Sequence, residues 1–340
     1  MPLVKKLVLG IFFIAIFLVG CTTSTSRSKE VDIFTGTEGL NAEFSNNAPP
    51  PKVFEDNLFP ILIKLRNNGV NNIKSKSGII AIGAENDYIK DITAEENSRI
   101  IQSKEIKNHV LFDIDGKSKI NAKGEEMAVV LSAKAGKLDP QSENKASTMT
   151  ATLCYPYKTT LSTTVCIDPD ITGLRPAKKV CNVNDIFFSN GQGAPIAITK
   201  IEPQMLPDAD KSIIRPQFLI YIENKGRGNP VNPKNYQSIC GKQDVSGRDL
   251  WNVAFLKAYT TGKDGVKELI CCPNQEKCPE NDISTGFIRF IDNKDFVRCT
   301  FKDGVPRNFD AFTSPLRIEV DYGYVQTATT NFLIQKPLKY

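Results

Sequence analysis

The chain of 340 residues carries the same pair of landmarks twice. The run from Phe59 to Leu65 alternates apolar and polar residues and stops at Asn67-Asn68-Gly69; Pro216 to Ile222 does the same and stops at Asn224-Lys225-Gly226, 157 positions later. The second landmark, Cys154-Tyr155-Pro156-Tyr157, returns 167 positions on as Asp321-Tyr322-Gly323-Tyr324. A period of this length belongs to duplicated domains, because solenoid repeats run only about 20–50 residues. The ten-residue difference in offset marks an insertion in the second copy, between Arg227 and Leu250, where Gly, Asn and Pro are frequent.

Within each copy, period-two alternation bracketed by turn residues predicts short strands. Leu40–Phe44 corresponds to Ala197–Ile201 as the first strand. Middle strands are expected at Ser77–Ile82, His109–Ile114 and Met127–Ala133 in the first copy. In the second they are expected at Val253–Tyr259, Glu268–Cys271, Phe287–Ile291 and Val297–Phe301. Thr93–Gln102, where Thr93 and Glu96 could form a capping box, reads as one short helix or a polar loop. The Thr-rich stretches after Tyr157 and Tyr324 read as turns, closing each copy with a hairpin. About seven short strands per copy predict an all-β protein of two tandem antiparallel β-sandwich domains. The first would span residues 34–168 and the second 181–336, the latter carrying insertion 227–250, with a Pro-containing linker at 169–180 allowing limited swivel.

At the N-terminus, Lys5 and Lys6 precede an apolar run that ends at Leu18-Val19-Gly20-Cys21. The run is about 14 residues, shorter than the roughly 20 that span a bilayer. It resembles a lipoprotein signal peptide, residues 1–20, which implies cleavage before Cys21 and acylation of that cysteine. Residues 21–33 would then be a Ser/Thr-rich tether holding the remainder outside the cytoplasm, anchored to membrane lipid.

Nine cysteines less Cys21 leave an even eight, as an oxidised framework requires. A turn near Thr160 would bring Cys154 opposite Cys166, the firmest expected bridge. Cys271 with Cys299, Cys272 with Cys278, and Cys181 with Cys240 complete the expected set. A zinc cluster is disfavoured, because the Cys271-Cys272 and Cys278 spacing lacks the paired Cys-x2-4-Cys knuckles.

At the strand ending in Asn-x-Gly and the closing strand pair, the chain resembles immunoglobulin-like surface domains of the CARDB type. The start Phe34-Thr35-Gly36-Thr37-Glu38-Gly39-Leu40, the turn Asp115-Gly116-Lys117-Ser118, and Cys154-Tyr155-Pro156-Tyr157 followed by Val165-Cys166-Ile167 resemble membrane-attached lipoproteins of archaea and bacteria. This resemblance implies fold and attachment, and is nearly silent on activity.

Catalytic constellations are missing from the sequence. His109 is the one histidine and has no partner motif. Asp113-Ile114-Asp115-Gly116 is followed by Lys117 where a calcium loop needs a ligand. Gly191-Gln192-Gly193 leads into a strand and lacks the third glycine of a dinucleotide turn. No cofactor is expected. Lys and Arg number 43 against 38 Asp and Glu without a concentrated basic stripe, which argues against nucleic acid. The Tyr155/Tyr157 and Tyr322/Tyr324 pairs are expected to be structural, with hydroxyls on nearby backbone. Trp251, Phe255 and Tyr259 could line a binding surface or, for Trp251 and Phe255, share a core face. The insertion is the better candidate for a recognition loop. These features predict a non-enzymatic, lipid-anchored surface protein, structural, adhesive or docking in role, with a protein or glycan partner at the envelope. The alternative is a carbohydrate- or solute-binding surface lipoprotein.

Overall fold

The computed structural model describes residues 32–175, 179–242, 247, 249–262, 265–273 and 285–337. The expected signal peptide and Cys21 lie outside the described residues, as does Cys278. The described residues from Ile33 onward form one compact unit.

The described part of this unit is β throughout except for one four-residue helix, and has three sheets. A four-stranded sheet in the first copy orders β1 (Leu40–Phe44), β3 (Leu58–Asn67), β8 (Glu126–Ala135) and β5 (Ile89–Ala94). Its counterpart in the second copy orders β10 (Ile186–Phe187), β11 (Ile196–Pro207), β12 (Ile213–Asn224), β18 (Lys294–Thr300) and β16 (Ile270–Pro273), with β19 (Val305–Pro306) on β12. The third sheet serves both copies. It orders β15 (Gly265–Glu268), β14 (Val253–Gly262), β20 (Phe312–Gln335), β9 (Asn144–Ile167), β4 (Ile73–Ala84), β7 (His109–Ile114) and β6 (Ile100–Gln102). On it, β13 (Asn229–Val231) and β2 (Lys52–Phe54) join β20, and β17 (Thr285–Arg289) joins β14.

Most of the expected strands fall within these bounds; Glu268–Cys271 instead straddles β15 and β16, which part at Leu269, and Phe287–Ile291 and Val297–Phe301 run past the ends of β17 and β18. The expected closing hairpins do not form. Asn144–Ile167 and Phe312–Gln335 are unbroken strands of 24 residues, paired antiparallel from Ile167 opposite Phe312 to Asn144 opposite Gln335. At about 3.3 Å per residue each extends for roughly 80 Å. The Thr-rich stretches contain β-branched residues and no Gly, Asn or Pro at their centres, so they continue a strand instead of reversing it.

This continuity joins the copies. The first half of β9 pairs with β4 of its own copy, whereas Thr159 in its second half donates to the Ile196 carbonyl in the other, at 2.6 Å. β20 mirrors it. Its first half pairs with β14, and its second half pairs in parallel with β2 and sets Phe332 against Phe59 at 5.4 Å between centroids. One hydrophobic cluster accordingly runs through both copies, from Ile61, Ile63 and Leu65 to Phe218, Ile220 and Ile222.

The Thr93–Gln102 stretch forms no helix. Thr93 and Ala94 end β5 and Ile100 begins β6. The turn between them is held by Asn97, whose Oδ1 accepts from the amides of Arg99 and Ile100 at 2.8 and 2.9 Å. Glu96 accepts from the Gln102 amide at 2.9 Å. Polar side chains here bond backbone in a non-helical turn, the competition that lowers their helix preference.

Candidate functional site

Where the long strands cross the middle of the molecule, four tyrosines form a buried cluster. Tyr155 faces Tyr324 and Tyr157 faces Tyr322 in register, with centroids 5.8 and 6.2 Å apart. The equivalent residues make equivalent bonds. The Leu40 amide donates to the Tyr155 hydroxyl at 3.2 Å, and the Ile196 amide to that of Tyr322 at 3.4 Å. The Tyr157 hydroxyl donates to Asn67 Oδ1 at 3.3 Å and accepts from the Asn71 amide at 3.3 Å. That of Tyr324 donates to Asn224 Oδ1 at 3.0 Å and accepts from the Gly228 amide at 2.9 Å. Burial pushes the phenols of Tyr155 and Tyr322 well up, and that of Tyr324 up to about 12. The cluster is a brace between the copies, and its hydroxyls are all occupied.

The disulfides differ from expectation. Cys154 and Cys166 do not pair; they sit 12 residues apart on one extended strand, a distance of about 40 Å. Cys154 bonds Cys240 and Cys166 bonds Cys181, which also replaces the expected Cys181–Cys240 bridge. Cys271 bonds Cys299 directly across β16 and β18, as expected. Cys272 is disulfide-bonded as well; its expected partner, Cys278, falls outside the described residues.

The Cys154–Cys240 bond explains the insertion. In its described part, helix α1 (Tyr236–Ile239) lies on the outer face of the shared sheet, burying Tyr236, Ile239 and Cys240 with Ile79, Ala81 and Val325. The Tyr236 hydroxyl donates to the Ser77 carbonyl at 3.1 Å, and His109 Nε2 lies 3.2 Å from the Cys240 carbonyl. This stretch of the second copy clasps the first, and is not a free recognition loop. Lone His109 belongs to that clasp.

The three aromatics singled out in sequence separate. Trp251 is half-buried, bridges to Val231 and packs with Leu250 against the clasp. Phe255 and Tyr259 point outward on β14, whose inward residues are Ala254, Leu256 and Ala258; Phe255 meets Phe287 edge-on at 5.5 Å. The shared-core reading of Trp251 with Phe255 is therefore corrected. Asn252, at φ 57°, breaks the alternation just before the strand, and parity alone could not place it.

A different surface assembles more completely. On the outer face of the second copy's smaller sheet, Phe187, Lys200, Tyr221 and Phe296 stand opposite one another on β10, β11, β12 and β18. Phe187 is 72% exposed, while Tyr221 and Phe296 are half-buried with centroids 5.3 Å apart and planes inclined 32°. The Lys200 ammonium lies 5.6 Å from the Phe187 centroid and 5.2 Å from that of Tyr221, held by Asp185 at 2.7 Å and Glu202 at 2.9 Å. The hydrogen bond that Lys200 donates to Asp185, then the one it donates to Glu202, raises the Lys200 pKa, and the Lys200 bond lowers that of Glu202. Both stay ionised at neutral pH. Tyr221 and Gln204 also donate to Glu202, at 3.2 and 3.0 Å. The next row places Glu202, Leu219 and Arg298 side by side, and the one after it Gln204, Gln217 and Thr300.

Sequence reading passed over this row. The available signal was β12, where Leu219 and Tyr221 add an apolar stripe to the face opposite Phe218, Ile220 and Ile222. A strand apolar on both faces has something on each. Among the described residues, no group of three His, Cys, Asp or Glu side chains could hold a metal ion.

No family model matches the chain, and no curated protein matches it. Among solved structures, the chain is similar to the C-terminal domain of the Streptococcus agalactiae AgI/II polypeptide BspA, at 9% identity over 87% of this chain and 100% of that one, TM-score 0.21. A partial N-terminal region of enterococcal surface protein matches at 8% identity over 85% and 84%, TM-score 0.20. The Enterococcus faecalis MSCRAMM ACE matches at 11% identity over 89% and 97%, TM-score 0.18. Likeness at this level carries no argument about function.

Proposed function

We propose that the protein is a non-enzymatic adhesive or docking module, displayed outside the cytoplasm on a lipid carried by Cys21. The lipoprotein-like N-terminus supports the attachment. The disulfides support an oxidising compartment, since reducing cytosol does not maintain such bonds.

The observation that carries the adhesive role is the Phe187–Lys200–Tyr221–Phe296 row. Exposed aromatics aligned on hydrogen-bonded strands contribute large contact area with little conformational entropy to lose. The sulfur bridges and shared core hold that row on a stiff support.

Two measurements test this reading. Intact mass of the protein extracted from membranes should show the chain beginning at an acylated Cys21; an unmodified Met1 end would remove the anchor. Immobilised full-length protein should retain envelope material, and Phe187→Ala should weaken retention. Equal retention by the variant would remove the contact face.

A further inference from the structure

We infer that the aromatic row binds a neutral, pyranose-containing glycan; this rests on the adhesive reading and names the ligand class of the same face. Three features of the surface select that class.

The first is size. Four strands at about 4.8 Å spacing make the row roughly 14 Å wide, and with the neighbouring row its area is on the order of 200 Å². A stable protein partner covers about 800 Å² of each surface. A short oligosaccharide lying along the row needs far less, and the apolar face of a pyranose seats on the inclined Tyr221 and Phe296 rings.

The second is charge. Lys200 is matched by both Asp185 and Glu202, and Arg298 stands in the row of Glu202 with Leu219 between them, so the face carries two cations and two carboxylates. A strongly anionic or cationic ligand finds no surplus opposite charge here. Neutral hydroxyl groups are better matched, because each both donates and accepts.

The third is the polar complement. Gln204 and Gln217 bring amides that donate and accept, and Thr300 a hydroxyl that Gln217 contacts at 3.3 Å. Carboxylate oxygens of Glu202 and Asp185 accept. Sugar hydroxyls projecting past the rings meet partners of both kinds within the two rows that follow the aromatics. Leu219 between them keeps the surface partly dry, which strengthens each such bond.

The test is an array of immobilised oligosaccharides, neutral and acidic, probed with detergent-solubilised full-length protein clustered on beads. Wild type, Phe187→Ala, Phe296→Ala and, on another face, Phe255→Ala are compared, with melting curves to confirm folding. Phe187 is mostly exposed, so its variant is expected to fold. Binding to neutral glycans is expected, weakened roughly three- to tenfold by Phe187→Ala and unchanged by Phe255→Ala. Selection of uronic or sialic acid glycans over neutral ones overturns the assignment of a neutral ligand. A blank array, with Phe187→Ala still weakening retention of envelope material, overturns the glycan and leaves the adhesive face standing. A blank array with retention equal in all variants overturns both.

Discussion

The Tyr157 hydroxyl occupies the space a side chain on Gly69 would need, and Tyr324 stands in the same relation to Gly226. A glycine that ends a strand at a turn commonly supplies a left-handed φ, yet neither of these has positive φ. Their role is to let a phenol from the long strand reach the backbone of the turn.

Gly226→Ala should therefore destabilise the fold by about 1–3 kcal/mol, the cost of overpacking a filled site. The added methyl meets the Tyr324 hydroxyl and Pro195 Cβ. Introducing Tyr324→Phe into Gly226→Ala should cost less than the sum of the two single changes, as contacting residues do. Strict additivity in chemical denaturation would show that the close approach is not what requires glycine.

Asn67 is wholly buried, and its side chain closes the first turn. Its Nδ2 donates to the Asn71 carbonyl at 2.7 Å, and its Oδ1 accepts from the Gly69 amide at 3.1 Å and from Tyr157. Asn67→Ala leaves buried partners unsatisfied and should cost about 2–4 kcal/mol, a loss visible as a lower denaturant midpoint with unchanged slope. A near-neutral result would mean water replaces the amide.

Peptide mapping without reduction should recover Cys154 linked to Cys240 and Cys166 linked to Cys181. A peptide linking Cys154 to Cys166 would contradict the continuity of β9. Cys240→Ser with Cys154→Ser should lower stability by about 2–5 kcal/mol. Amide exchange should quicken in Tyr236–Ile239 before it quickens elsewhere, because the clasp then rests on packing alone.

The tyrosine brace sets an alkaline limit. A phenol ordinarily titrates near 10, and burial raises that of Tyr324 to about 12, with Tyr155 and Tyr322 also well above their ordinary value. The folded state thus keeps protons that the unfolded state releases above pH 10, and stability falls as pH rises from about 10 towards 12. Below pH 10 the contribution is complete. Ultraviolet titration should show these phenols ionising together with unfolding; smooth ionisation of all tyrosines with the fold intact would refute their burial.

Much of the candidate site was illegible in sequence for a definite reason. Phe187, Lys200, Tyr221 and Phe296 are scattered over more than a hundred residues, and only cross-strand register aligns them. Phe255 and Tyr259, close together in sequence, were visible as a group, while Trp251 beside them went to the clasp. Nearness along the chain says little about which face of a sheet a residue serves.

Sequence by itself determined the β character, the duplication, most strand positions, and the structural role of the paired tyrosines. Each of these is written in local periodicity or in repetition. Tertiary structure alone decided that the final strands run on past the expected turns, that each copy completes the other, and which cysteines meet. Most of those outcomes depend on contacts distant along the chain, as Cys154 with Cys240, 86 positions apart, illustrates. A strand's own side chains prescribe its extension and its apolar face, but its neighbour is chosen by the whole sheet.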